Sequence, residues 1–253
     1  GRVDRLDGMH YTGASNQEFA DSVLVAYTAA MAVRVDEQLM AIEIGGLTFT
    51  PGTYRSGSAI NFAAGVVTLD GQNEPNPVFL FQAGSTLITA ANTYFNLING
   101  AKAENVIWAL GTAATLGADS VLEGSILAGT AITFGTKSEL HGCALAQSAV
   151  TFESDGSTNG TPYIEGGVVY ESGCEPSNSP SSEPSKMPSS EPSSAQPSTS
   201  PACSPSVETL SNSVCQNFAV HARTTVTFAG VQTTIQTGDV GVAPGTSITG
   251  NVH

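Results

Sequence analysis

Thr112-Ala113-Ala114-Thr115-Leu116, Thr130-Ala131-Ile132-Thr133-Phe134 and Ser148-Ala149-Val150-Thr151-Phe152 are nearly superimposable and follow one another at 18 residues. A strand-sized motif at a fixed period marks a solenoid, whose equivalent residues stack about 4.7–4.9 Å apart in successive coils. Each motif position then becomes a column on the surface. Ser58-Ala59-Ile60-Asn61-Phe62 and Thr224-Thr225-Val226-Thr227-Phe228 fit the template, and Thr86-Leu87-Ile88-Thr89-Ala90 fits it loosely. The residues between motifs repeat as well: the run from Gly117 to Ala128 aligns with the run from Gly135 to Ala146. One coil reads as three short strands separated by turns, so the expected fold is mainly β, a three-faced parallel β-helix.

Strand alternation sorts the side chains. In each motif the larger apolar residues (Ile60/Phe62, Ala114/Leu116, Ile132/Phe134, Val150/Phe152, Val226/Phe228) face inward. Ala59/Asn61, Ala113/Thr115, Ala131/Thr133, Ala149/Thr151 and Thr225/Thr227 then face outward, with Thr112, Thr130 and Ser148 at the corner. This face is expected to be flat and carries methyls, hydroxyls and an amide, but no charge. On a second face Asp119 lies one coil from Lys137 and Glu123 one coil from His141, an expected ladder of solvated ion pairs. The third face (Ile107–Leu110, Ile126–Ala128, Ala144–Ala146) is apolar on both sides and needs a cover, and Trp108 within it is expected in the core.

The cover is a helix from about residue 16 to 40, capped by Ser15 or Asn16, with Phe19, Val23, Leu24, Tyr27, Met31 and Val35 at three- and four-residue intervals and Gly45-Gly46 as its stop. Residues 175–206 are nearly all Ser, Pro and Glu, too poor in apolar side chains to offset ordering entropy, and are expected to form an extended, mobile linker. The chain thus divides into the main β-helical part (1–174), the linker (175–206) and further β-coils (207–253).

A net charge of −14 argues against nucleic acid and against anionic membrane surfaces, and no apolar run is long enough to span a bilayer. The chain begins Gly1-Arg2-Val3 without an initiator Met or signal peptide, and reads as an excerpt or a processed form. Cys143, Cys174, Cys203 and Cys215 lack metal-ligand spacing; one or two disulfides are expected, in a pairing that sequence does not choose. Asn159-Gly160-Thr161 is a glycosylation sequon, usable on a secreted chain. Catalysis finds no support. Asp119, Glu123, Glu139 and Glu153 alternate with Lys137 and His141 instead of lining a groove as paired carboxylates, and His10, His141, His221 and His253 are scattered. No catalytic group, metal site or cofactor is expected. Two readings of the charge-free face remain: recognition of a regular uncharged lattice by stiff threonines, or an extracellular carbohydrate-binding or adhesive module.

The helix, Ile44-Gly-Gly-Leu-Thr-Phe-Thr-Pro-Gly-Thr-Tyr54, Val67-Thr-Leu-Asp-Gly71, Val78-Phe-Leu-Phe-Gln82, Ala103-Glu-Asn-Val-Ile-Trp108, Glu123-Gly-Ser-Ile-Leu-Ala128 and Gly142-Cys-Ala-Leu-Ala-Gln147 together resemble the microbial ice-binding (antifreeze-like) protein family. So do Asn217–Val220, Gly238–Gly245 and Ile248–Gly250. The resemblance implies a right-handed three-faced β-helix with a flanking helix, secretion, and an ice crystal surface as partner. It places the contact on Ser58, Ala59, Asn61, Thr86, Thr89, Thr112, Ala113, Thr115, Thr130, Ala131, Thr133, Ser148, Ala149, Thr151, Thr224, Thr225 and Thr227. In the family, however, the segment resembling 217–250 precedes the stretch resembling 1–16. The chain therefore reads as one period of a tandem array with neighbouring repeat domains, or as a circular permutation, its tail completing its own solenoid or a neighbour's.

Overall fold

A computed structural model describes residues 2–6, 10–12, 17–39, 42–153, 157–158, 218–229, 232–235 and 239–252. The expected linker, Cys174, Cys203, Cys215 and the sequon at Asn159 lie outside them. Among the described residues the strands form parallel ladders only, which is the β-helix read from the repeat. A nine-stranded sheet contains Phe79–Ala83, Val106–Leu110, Ser125–Ala128, Ala144–Ala146 and Phe218–Ala222; a seven-stranded sheet carries the threonine motifs. The third side is built from a six-stranded sheet and, over the earlier coils, a three-stranded sheet of Thr48–Phe49, Val66–Asp70 and Tyr94–Ile98.

The coils are of two sizes. Ile60 pairs with Leu87 and Leu87 with Ala114, steps of 27 residues, whereas Ala114 pairs with Ile132 and Ile132 with Val150, steps of 18. Inside, side chains stack coil upon coil: the rings of Phe134, Phe152 and Phe228 follow one another at 4.4 and 5.2 Å, and Phe81 lies 4.3 Å from Trp108. Trp108 is completely buried and donates from Nε1 to the Glu123 carbonyl at 2.9 Å, so it belongs to the core as expected. The corner leading into the threonine sheet is a column of glycines. A Cβ on Gly84, Gly111 or Gly129 would overlap the carbonyl of Gly57, Gly84 or Gly111 one coil away, so only hydrogen fits there.

The helix spans Gln17–Ala32 and covers the nine-stranded sheet, packing Val23 and Ala30, with Val33 just past its end, on Leu80, Ile107, Leu127 and Leu145. It stops well short of residue 40, for a polar reason. Gln82 Nε2 donates to the carbonyls of Ala30 (2.7 Å) and Val33 (3.2 Å), and Arg55 donates from Nη2 to Met31 O (2.8 Å) and from Nε to Gln82 Oε1 (2.6 Å). These donors take the carbonyls that a helix end leaves open, and the guanidinium suits the negative end of its dipole. Glu37–Gln38 then pairs with Tyr54 and Arg55 as a short edge strand, drawing the chain out of helical conformation. Among the described residues no helix is long and apolar enough to cross a membrane.

The tail coils stack on the chain's own body. Ala144–Ala146 pairs with Phe218–Ala222, Ala149–Phe152 with Thr225–Phe228, and Ser157–Thr158 with Gln232–Ile235. Beyond them Arg2–Leu6 pairs with both Gln232–Ile235 and Asn251–Val252, and His10–Thr12 with Asp239–Val242.

Candidate functional site

The seven-stranded sheet places seven residues of the central outward column side by side: Asn61, Ile88, Thr115, Thr133, Thr151, Thr227 and Thr249. A parallel column lies two residues earlier, where Ala131, Ala149, Thr225 and Ser247 are in register and Ala113 and Thr86 occupy the equivalent places. The corner beside it carries Ser58, Ser85, Thr112, Thr130, Ser148 and Thr224, each backbone N–H from Ser85 onward donating to the carbonyl of its predecessor at 2.7–3.0 Å. Side-chain groups are thus spaced by about 4.7–4.9 Å between coils and, at two residues of roughly 3.3 Å rise, about 6.6 Å along a strand. No member of the three columns is ionisable.

The hydroxyls hold one another in place. Thr249 Oγ1 donates to Thr227 Oγ1 at 3.2 Å, Thr224 Oγ1 donates to the Ser148 carbonyl at 2.8 Å, and Ser148 Oγ lies 3.3 Å from Thr224 Oγ1. These bonds fix the tail end of the array, and along the rest of it the restricted χ1 of threonine limits the side chains before any ligand arrives. At its far edge Asn61 receives an isolated parallel bridge from Glu43. The Glu43 carboxylate is turned onto backbone, accepting from Ala63 N (2.9 and 3.0 Å) and Gly45 N (2.8 Å), so this acid is tied down at the border of the sheet.

One expected member is misplaced. Leu87, inward-facing, pairs with Ile60 and Ala114, which shifts this coil by one residue relative to the expected Thr86/Thr89 template. A one-residue slip sends side chains to the opposite face. Thr89 is consequently buried, its hydroxyl accepting from Gly117 N (2.9 Å) and donating to Ser120 Oγ (3.3 Å), while Ile88, 45% exposed, takes its place in the column. Thr86 remains outward, in the alanine column and not at the corner. Sequence reading also missed Ser85, Ser247 and Thr249. For the last two, the alternation in Ser247-Ile248-Thr249, matching Thr225-Val226-Thr227, was the available signal.

The second face is less uniform than expected. His141 bridges two acids, with Nδ1 2.9 Å from Glu123 Oε1 and Nε2 2.9 Å from Glu139 Oε1. The hydrogen bond to Glu123, reinforced by Glu139 and opposed by partial burial, pushes the imidazole up to about 9. Asp119 and Lys137, by contrast, form no ion pair with each other; both sit in left-handed turns at φ 52° and 56°. Cys143 is buried beneath the helix and is disulfide-bonded. Among the described residues no group of His, Cys, Asp and Glu is placed to hold a metal ion.

Comparison with known proteins agrees with this architecture. An ice-binding protein of Nostoc sp. (strain HG1) is 41% identical over 103 residues, 41% of this chain and 38% of that protein. One from Lentinula edodes is 39% identical over 85 residues, 34% of this chain and 29% of that protein. The chain therefore matches well under half the length of these curated relatives. Among solved structures, an ice-binding protein from the Antarctic ascomycete Antarctomyces psychrotrophicus superimposes with a TM-score of 0.54 at 37% identity, covering 57% of this chain and 70% of its own. A glycosylated ice-binding protein from an Arctic yeast gives 0.53 at 28% identity, covering 60% and 66%. The family described as Ice-binding-like matches residues 1–158, more than half of the chain, and the protein belongs to that family.

Proposed function

We propose that this protein adsorbs to ice through the seven-stranded face and thereby inhibits ice growth and recrystallisation. The observation that carries the reading is the in-register, charge-free array of Thr115, Thr133, Thr151, Thr227 and Thr249, flanked by small residues and by the hydroxyl corner. Regularly repeated hydroxyls and methyls hold water in a periodic arrangement, and stiff side chains already in place lose little entropy on contact. An ionised group would order water around itself instead, which accounts for the exclusion of charge. Binding is then adsorption without turnover, and molecules fixed at the front pin the growing crystal between them. Action on external ice implies a secreted chain, in which the Cys143 disulfide fits an oxidising environment.

The test is thermal hysteresis and recrystallisation inhibition of the wild type beside Thr133→Tyr and Thr115→Tyr, with circular dichroism to show that the fold is kept. A bulky ring in the middle of the array should abolish most activity. Full activity in both variants would exclude this face. The carbohydrate-binding alternative has no aromatic platform on the columns to support it; it predicts glycan-array binding and no effect on ice.

A further inference from the structure

We propose that the coils formed by residues 218–252 are exchangeable between copies of this chain. The surface presented by Ala144–Ala146, Ala149–Phe152 and Ser157–Thr158 would then accept the same segment from a second copy. The argument starts from how coils are joined. From Glu123 in the six-stranded sheet to Ser125 in the nine-stranded sheet the chain spends one residue, Gly124, and from His141 to Ala144 it spends two, Gly142 and Cys143. The same step from Thr158 to Phe218 spends 59 residues, 159–217. The equivalent corners are crossed by one or two residues, a span of at most about 10 Å, whereas 59 residues reach up to roughly 200 Å. A one-residue step holds the next coil in place, but a connection of this length does not dictate which molecule's tail occupies the seat.

The seat itself is large and specific. Phe228 stacks on Phe152 at 5.2 Å, Ala229 N donates to Phe152 O at 2.9 Å, and Thr224 N donates to Ser148 O at 2.8 Å. Where the glycine column ends, Arg223 Nη1 donates to Gln147 Oε1 at 3.3 Å. On the helix side Phe19 lies 4.4 Å from Phe218, and on the far side the segment is closed by Arg2–Leu6 and His10–Thr12. Every one of these partners belongs to residues 1–158, so a tail from a second copy makes the same contacts. Closed and exchanged forms differ in the connection, which carries every candidate partner of the Cys143 disulfide (Cys174, Cys203 and Cys215), so exchange places that bond between two copies; the effective concentration that favours closure falls steeply as a connection lengthens. The occupant is therefore a second copy, giving a reciprocal dimer that carries two complete threonine faces.

The experiment uses the full chain. Two differently tagged copies, one carrying Ala149→Cys and the other Thr225→Cys, are co-expressed; these positions are directly paired across the joint. Exchange predicts a covalent heterodimer whose cross-linked peptides span positions 149 and 225 of different copies. It also predicts a dimer fraction, by size exclusion with light scattering, that rises with protein concentration during refolding. A variant in which residues 159–217 are replaced by a two-residue step, with Cys143→Ser because its disulfide partner is removed, should be monomeric throughout. Absence of the cross-copy link together with a monomeric full chain at every concentration would overturn the proposal, as would equal dimerisation of the short-step variant. The outcome is separable from the ice reading: an active monomer would sink exchange alone, and an inactive exchanged dimer would sink the ice reading alone.

Discussion

His221 faces outward from the nine-stranded sheet yet is completely buried, its ring 5.0 Å from Phe19 and 5.7 Å from Phe218, and neither nitrogen has a hydrogen-bond partner among the described residues. Burial, with the positive charge of Arg223 adding to it, pushes the imidazole down to about 4. The unfolded chain takes up this proton first, near 6.5. The contribution to stability is thus whole above about 6.5 and is lost as pH falls towards 4, a total of about 3 kcal/mol. His221→Phe should flatten the acid limb of a plot of Tm against pH. His141 has the opposite sign: its raised pKa, about 9, gives stability that is complete below about 6.5 and lost as pH rises through 9. Because the pair is partly solvated its worth is of order 1 kcal/mol or less, and His141→Gln should remove that small alkaline loss in the same measurement. On the threonine face, Thr227→Tyr should lower thermal hysteresis as Thr133→Tyr does, whereas Thr89→Val should leave it unchanged, because Thr89 points inward.

The helix is anchored to the sheet by apolar packing along its length and by a polar clamp at its end. Replacing Gln82 with Leu strands the carbonyls of Ala30 and Val33 and leaves Arg55 Nε without its acceptor. Buried groups left unsatisfied cost about 1–3 kcal/mol, so Gln82→Leu should lower the midpoint of thermal unfolding while the ice response of the folded protein persists. That helix was legible as an amphipathic stripe. Its end was not, because Val35 continues the pattern, and what stops it comes from other coils: the side chains of Gln82 and Arg55, and the pairing of Glu37–Gln38 with Tyr54 and Arg55. The slipped strand is a similar case. Leu87-Ile88 offers two adjacent apolar residues, alternation fixes parity alone, and the choice was made by the neighbours: Leu87 between Ile60 and Ala114 inside, and a buried Thr89 hydroxyl satisfied by Gly117 and Ser120.

At the scale of the whole molecule, the tail closes the open end of a stack that repeat folds cannot leave bare. Truncation after residue 206 should expose Val150 and Phe152 and deprive Phe19 of its ring partner, so far-ultraviolet circular dichroism should show a broadened, earlier melt and light scattering should show association through the open strand edges. The sequence by itself determined the coil, the inward and outward parity of most motifs, the absence of charge on one face and the need for a helical cover. Each of these is a local consequence of period-two alternation repeated at a fixed interval. Tertiary structure alone decided the coil sizes in register, the exchange of Thr89 for Ile88, and the seating of the tail between residues 144–158 and the first strands. Those features depend on which coil lies next to which, and contacts between residues so far apart in the chain leave no periodic trace along it.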